Sequence, residues 1–127
     1  MIENRQLIIA LGSNIHQEQN MRKAIDLLQE YFSGKMVFSR MMWTDPIGVE
    51  SDKFLNCLAK VSTTLSLDAI SRLLDNIEKS LHSTKEEHRQ SIVKIDIDII
   101  KYGRDRHHEK DWSRPYINTL YQELLRL

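Results

Sequence analysis

Residues 54–81 read FLNCLAKVSTTLSLDAISRLLDNIEKSL, and the spacing of their apolar residues changes in the middle of the stretch. The first part, 54–65, is largely apolar and becomes rich in β-branched residues, which is typical of a strand. Ser66 can then cap a helix, and Asp68 puts a negative charge in its first turn, where it suits the helix dipole. Apolar residues at helical spacing follow, at positions 67, 70, 73, 74, 77 and 81. The stretch therefore predicts a strand that leads directly into a helix.

The same two periodicities extend along the chain in both directions from this stretch. We expect Asn20 to cap a first helix and Gly34 to end it. The order strand, helix, strand, strand, helix, strand, with a helical tail, predicts an α+β fold. It is the order of a ferredoxin-like plait, an antiparallel sheet with two main helices on one face and a short C-terminal helix. The further strand-like runs cover residues 6–11, 35–43 and 93–102, and the further helical runs cover 20–32 and 118–127.

The composition is typical of a globular protein and has no excess of either charge. Of the 127 residues 41% are hydrophobic and 28% are charged, so we expect residues 1–127 to fold as a single domain. Lys plus Arg (18) equals Asp plus Glu (18), which disfavours nucleic acid and membrane surfaces as partners. A single cysteine excludes an internal disulfide framework. The N-terminal apolar run is too short for a signal peptide, so we expect a cytoplasmic protein, and a monomer.

Two aspartates interrupt an aliphatic strand in IDIDII, residues 95–100. Alternate strand residues point to opposite faces, so Asp96 and Asp98 project together, about 6.5 Å apart. Their charges repel and should raise one pKa, and a divalent cation would relieve the repulsion. A set of ligands with oxygen atoms only favours Mg²⁺. The alternative is a half-exposed strand whose aspartates pair with lysines such as Lys94 or Lys101.

Basic residues surround this pair, in and after the polar loop 82–91. Lys85, Arg89 and Lys94 are cations that could hold phosphate charge, as phosphoryl chemistry requires. No P-loop motif occurs in the sequence. Adjacent histidines, His107 and His108, lie in a charged loop, where we expect solvated side chains more than a transition-metal site.

Four short motifs together resemble the 6-hydroxymethyl-7,8-dihydropterin pyrophosphokinase family. They are IALGSN (9–14), TDPIG (44–48), FLN (54–56) and the stretch from Glu78 through Arg89 to IDIDII (95–100). Their order matches that of the family over roughly residues 7 to 103. The resemblance implies transfer of pyrophosphate from ATP to a pterin alcohol in folate biosynthesis, with release of AMP.

The resemblance also implies a role for individual residues. Asp96 and Asp98 would bind two Mg²⁺ ions that bridge the ATP phosphates, and Arg89 or Lys94 would balance charge on the moving phosphoryl group. The pterin would lie against Thr44, Ile47 and Phe54, with the Asn56 amide on its polar edge. The expected ATP-site residues are Glu78, Lys85, Arg89, the Ile99 backbone and Tyr116.

Several positions depart from the family pattern. Gln90 stands where the family has Trp, Val93 stands where it has the last Arg of the loop, and Ser83 replaces a basic residue. Tyr116 stands in the place of a family His. We expect Lys94 to substitute for the lost arginine, because strand alternation would point it to the metal side. Two alternatives stay open, namely a degenerate ATP or pterin binder and a plait-fold module for protein interaction.

Overall fold

The computed structural model describes residues 3–47 and 50–127. Gly48, the last residue of the TDPIG motif, lies outside these residues. The elements are β1 (Arg5–Ser13), α1 (Gln17–Tyr31), β2 (Val37–Phe38), β3 (Met42–Thr44), β4 (Phe54–Thr63), α2 (Leu67–Ser80), α3 (Lys85–Arg89), β5 (Asp96–Tyr102), β6 (Asp105–Arg106), α4 (Glu109–Trp112) and α5 (Pro115–Leu125).

The strands form one antiparallel sheet in the order β2-β4-β1-β5-β6, with β3 also pairing with β4. The longest pairing joins β1 to β4, from Arg5 opposite Thr63 to Ser13 opposite Leu55. On its other edge β1 pairs with β5, where Gly12 lies opposite Asp96. The α+β sheet and its helices confirm the predicted ferredoxin-like plait.

Each face of the sheet carries its own apolar core. Alternate residues of β1, such as Leu7 and Ile9, pack with α1 and α2 on one face. The residues between them face the other way, where Ile8 packs with Ile117 and Leu120 of α5. Burial on both faces explains why the central strands read as nearly continuous aliphatic runs.

Helix α5 covers only one end of its face of the sheet. Its first residue is Pro115, and the preceding Arg114 has an extended backbone. The helix then runs towards the far end of β4, where Lys60 Nζ donates a hydrogen bond to the Leu127 carbonyl at 2.9 Å. The opposite end of this face, beyond the start of α5, is left for a pocket.

Two predicted boundaries of the first half differ from the structure. Helix α1 begins at Gln17, and Asn20 lies inside it. The Asn20 side chain donates to the Ile15 carbonyl at 2.7 Å, so it ties the helix to the preceding turn and does not cap it. The strand expected over 35–43 is split into β2 and β3. Ser39 causes the break, because its hydroxyl accepts from the Leu58 backbone amide at 2.9 Å in place of a regular ladder bond.

Short elements in the second half were not predicted. The loop expected over 82–91 contains α3, which Thr84 caps by accepting from the Glu87 amide at 3.1 Å. Strand β5 carries an irregularity, since Ile8 pairs with Lys101 whereas Ile9 pairs with Ile99. The register shift leaves Ile100 as an additional residue, a β-bulge. In residues 3–47 and 50–127, no helix is both long enough and apolar enough to cross a membrane.

Candidate functional site

A pocket of about 360 Å³ opens at the end of the sheet face that α5 leaves uncovered. Its floor is formed by the paired ends of β1, β4 and β5, and its rim by the segments before β4 and around α4. Seven of the predicted site residues line this one pocket, namely Thr44, Ile47, Phe54, Asn56, Asp96, Asp98 and Tyr116. The structure therefore brings the two carboxylates, the amide and the aromatic ring together.

The two aspartates lie side by side on β5 and face this pocket. Asp96 is opposite Gly12 and Asp98 is opposite Ala10, on the face away from α1 and α2. Burial, followed by the neighbouring Asp96 charge, raises the pKa of Asp98 to about 8. A cation bound beside such a carboxyl group would stabilise its ionised form. The donor atoms and their environment therefore fit the divalent ion that the sequence implies.

Lysine does not neutralise this pair in the way that the alternative interpretation requires. Lys94 Nζ lies 3.3 Å from Glu87 Oε2 and 3.2 Å from the His82 carbonyl oxygen. Lys101 Nζ contacts the Tyr121 hydroxyl at 3.0 Å. Both ammonium groups are thus directed to partners other than the aspartates.

Asn56 connects β4 to the β3 edge of the pocket. Its Nδ2 donates to Thr44 Oγ1 at 2.8 Å and to the Met42 carbonyl oxygen at 3.2 Å. The Oδ1 atom lies on the side of Gly12, where an added Cβ would approach it to 3.2 Å. The amide nitrogen is therefore used within the protein, whereas the oxygen faces the narrow space above Gly12. Close approach explains the glycine in the IALGSN motif.

Ser13 and Asn14 of the same motif fasten the chain that leads into β5. Asn14 Nδ2 donates to the Ser91 carbonyl oxygen at 2.7 Å, and Asn14 Oδ1 accepts from the Val93 amide at 2.7 Å. The Ser13 hydroxyl donates to carbonyl oxygens of Ile15 and Val93. These bonds fix where β5 starts and thus where Asp96 lies.

Glu78 connects α2 to β5. Its Oε2 accepts from the Ile97 backbone amide at 2.8 Å, and burial is the main cause that raises the pKa of Glu78 to about 7. Ile99, the other expected ATP-site residue on this side, lines a second pocket of about 220 Å³. That pocket shares Asp98 and His108 with the first, so the two are adjacent.

The expected basic groups are not gathered at either of these two pockets. Lys85 and Arg89 are exposed residues of α3 and line neither of them. The expected direction of Lys94 is wrong, because β5 begins only at Asp96 and strand alternation does not extend back to residue 94. Val93 likewise precedes β5, and it lines the first pocket.

Ser83, which stands where the family has a basic residue, has a structural role. It is buried, and its hydroxyl donates to the Ile95 carbonyl oxygen at 2.7 Å and accepts from the Ile95 amide at 3.1 Å. His88 Nε2 also lies within 2.8 Å of this hydroxyl. Ser83 therefore anchors α3 and its flanking loop to the start of β5.

The segment around α4 supplies site residues that sequence reasoning missed. His108, Asp111 and Arg114 line the first pocket together with Tyr116. His108 Nε2 lies 3.8 Å from Asp98 Oδ1, so this histidine is not simply solvated and the donor atoms near Asp98 are not oxygen alone. A helix of four residues gives no periodicity to detect. The available signal was the density of His, Asp and Arg directly after the DxD strand.

Burial is the main cause that raises the pKa of Tyr116, and the Arg114 guanidinium acts in the opposite direction. The phenol thus lies at the start of α5 with a cation beside it.

The model of one protein family, described as 7,8-dihydro-6-hydroxymethylpterin-pyrophosphokinase, matches residues 8–125 of the chain.

Proposed function

The chain belongs to the 7,8-dihydro-6-hydroxymethylpterin-pyrophosphokinase family, and from this premise we propose that it is an active, Mg²⁺-dependent enzyme. Members of this family transfer pyrophosphate from ATP to hydroxymethyldihydropterin in folate synthesis. One observation supports activity in this chain above all others. A pair of aspartates, an aromatic ring and an amide line a single pocket, at Asp96, Asp98, Phe54 and Asn56.

Asp96 and Asp98 are proposed to hold two magnesium ions, which would supply positive charge to neutralise the ATP phosphates. The two side chains suit this role because they project from one strand face into the pocket. The raised pKa of Asp98 means that binding a cation releases a proton there. Metal affinity should therefore increase with pH up to about pH 8.

Phe54 and Asn56 are proposed to bind the pterin at the other side of the same pocket. The half-buried Phe54 ring offers a face for a flat heterocycle, and Ile47 is an exposed apolar side chain on the rim. Asn56 Oδ1 can accept a hydrogen bond, whereas its Nδ2 is held by Thr44. Thr44 would thus both orient the Asn56 amide and contact the pterin.

The nucleotide is proposed to extend from the aspartates into the adjacent second pocket. Ile99 lines that pocket, Glu78 holds the strand edge beside it, and Tyr116 lies on the rim of the first pocket. Lys85 and Arg89 would have to swing towards the phosphates from α3. Arg89 is the better candidate for the transferred phosphoryl group, because Lys94 already contacts Glu87.

In the proposed reaction the pterin hydroxymethyl oxygen attacks the β-phosphorus of ATP. A new P–O bond forms as the hydroxyl O–H bond breaks and its proton passes to solvent, the bond between the β-phosphorus and the oxygen that bridges to the α-phosphate breaks, and AMP leaves. The chain contributes by positioning both substrates in one pocket and by holding charged groups against the phosphates. No side chain needs to form a covalent intermediate.

The decisive experiment measures AMP release from ATP by the purified chain. AMP should form only when Mg²⁺ and hydroxymethyldihydropterin are both present, and Asp98→Ala should lower the rate at least ~10³-fold, as loss of a charge-stabilising group does. Asp105→Ala, an exposed acid on β6, serves as the matched control and should leave the rate unchanged. AMP release that persists in Asp98→Ala would contradict the proposal.

The second candidate is a homologue that binds ATP and pterin without turnover. The changes in the basic loop favour this candidate. Gln90 and Val93 replace the Trp and the last Arg of the family loop, and Lys94 contacts Glu87 and not the aspartates. Such a protein would gain thermal stability from Mg²⁺-ATP or pterin and yet release no AMP. Thermal unfolding with each ligand, run beside the AMP assay, separates the two functions.

A further inference from the structure

Three potential metal ligands from different parts of the chain meet where the two pockets adjoin. One ligand atom from each of Asp98, His108 and Asp111 lies within 4.8 Å of the other two. Asp98 Oδ1 and His108 Nε2 are 3.8 Å apart. Metal bonds to nitrogen or oxygen are about 2.1 Å long, so two ligands of one ion can be at most ~4.2 Å apart. Small side-chain rotations would bring the whole set within that limit.

The two ligands around α4 are joined by one hydrogen-bonded turn of the chain. His108 is the residue before the helix, and the Asp111 amide donates to its carbonyl oxygen at 2.8 Å. Both side chains line the first pocket, so the turn that this bond closes brings the imidazole and the carboxylate to the same site. Asp98 then approaches from the neighbouring strand β5.

The bulge in β5 holds the α4 segment in this position. The bulged Ile100 carbonyl oxygen accepts from Trp112 Nε1 at 3.0 Å and from the His107 amide at 2.9 Å. The Arg106 guanidinium stacks 4.2 Å from the centre of the Trp112 ring, and the Tyr121 ring meets it edge-on. His108 and Asp111 are thus placed by contacts that do not use their own side chains.

The charge and chemistry of the cluster favour a transition-metal ion. Two carboxylates and one neutral imidazole give a net charge that suits a divalent cation, and both pockets leave room for water ligands. Imidazole suits zinc, copper, iron or nickel better than magnesium, which prefers oxygen ligands. Arg114 Nη1 is 3.6 Å from Asp111 Oδ1, and the second carboxylate oxygen remains for the ion.

We propose that Asp98, His108 and Asp111 form a binding site for a divalent transition-metal ion such as Zn²⁺. The inference goes beyond the proposed function, because it adds His108 and Asp111 to the aspartate pair as metal ligands. The site requires neither nucleotide nor pterin. Asp98 would belong both to this site and to the magnesium site proposed above.

The test titrates Zn²⁺ alone into the full chain by calorimetry, without nucleotide. His108→Asn and Asp111→Asn should each weaken Zn²⁺ binding at least tenfold. Asparagine is chosen because His108 has a left-handed backbone (φ 53°), which asparagine tolerates well. The matched control is His107→Asn, the adjacent histidine outside the ligand set, and it should change the affinity less than twofold.

Thermal unfolding of each variant without metal checks that the fold is retained. The half-exposed His108 side chain is not part of either core, so His108→Asn should unfold at the temperature of the parent chain. No Zn²⁺ binding by the parent chain, unchanged affinity in His108→Asn, or an equal loss in His107→Asn would overturn the inference. AMP release is measured separately, so failure of the zinc site and failure of the kinase proposal are distinguishable.

Discussion

Single residues decide how the floor of the pocket is shaped. Gly12 lies between the Asn56 amide and the Phe54 ring, and an added Cβ would approach Asn56 Oδ1 to 3.2 Å and Phe54 Cδ1 to 3.6 Å. The backbone angle at Gly12 is one that other residues can adopt, so only space restricts this position. The glycine therefore belongs to the binding surface more than to the turn.

Gly12→Ala should weaken pterin binding about tenfold, which corresponds to about 1.4 kcal/mol. The new methyl group would push the Asn56 amide away from its hydrogen bond with Thr44. Equilibrium titration with hydroxymethyldihydropterin measures the change. Gln6→Ala, an exposed position on the same strand, is the control and should bind as the parent chain does. Unchanged pterin affinity in Gly12→Ala would show that the pterin lies elsewhere.

Glu78→Gln should stabilise the protein more at pH 8 than at pH 5. Burial raises the pKa of Glu78 from 4.5 to about 7, so the folded chain keeps a proton that the unfolded chain loses across this window. The contribution of Glu78 to stability therefore falls as pH rises from about 4.5 to 7. The gain of the variant should reach about 1 kcal/mol, since partial exposure screens the full effect.

Urea unfolding at both pH values measures this gain. The exposed Glu86→Gln on α3 is the control, and its effect should stay within about 0.5 kcal/mol at either pH. An equal gain for Glu78→Gln at pH 5 and pH 8 would contradict the assigned cause.

Sequence reasoning at this scale worked where strand alternation holds. It placed Asp96 and Asp98 on one face, and both line the pocket. It failed at Lys94, because the strand starts two residues later and Asn14 bends the preceding chain by hydrogen bonds across the fold. Such contacts between residues far apart in sequence leave no local pattern to read.

Short elements determine how the rim of the pocket is built. Helix α3 has five residues and α4 has four, and neither has a buried side chain. Polar contacts attach both helices, α3 through the Ser83–His88 and Glu87–Lys94 pairs and α4 through the Trp112 indole nitrogen. Periodicity cannot reveal such elements, because an apolar stripe needs several turns to appear. The long α2, by contrast, begins where Ser66 was expected to cap it.

Ser83→Ala should cost about 2 kcal/mol of unfolding free energy, because it leaves the buried amide and carbonyl of Ile95 without their hydroxyl partner. Chemical denaturation measures this cost. Ser80→Ala is the control, since its hydroxyl bonds only to the Ile77 carbonyl at an exposed helix end, and it should cost about 0.5 kcal/mol or less. Equal costs for the two serines would contradict the anchoring role.

The whole molecule is a sheet with two unequal cores. The larger core under α1 and α2 follows from the alternation that the sequence shows, and the plait was predicted from the order of strands and helices along the chain. The smaller core depends on α5, whose position over β1 and β4 follows from no local pattern. Sequence alone therefore predicted the fold but not which end of the open face remains free for the pocket.

Leu120→Ala should destabilise the entire protein by about 3 kcal/mol, as truncation of a fully buried leucine does. The comparison is Leu125→Ala on the same helix, where 46% of the side chain is exposed and the cost should be about 1 kcal/mol or less. Thermal and urea unfolding measure both. If Leu120→Ala were as stable as Leu125→Ala, α5 would not form part of the folding unit.

The position at which α5 starts limits how much of the sheet face stays open. Arg114 precedes a proline and is held extended, so the helix cannot grow backwards over the sheet. One additional turn would lengthen the helix by about 5.4 Å, starting from Arg114 on the wall of the pocket. A single imino acid thereby marks the boundary between the part of the sheet face that α5 covers and the part that stays open as the pocket.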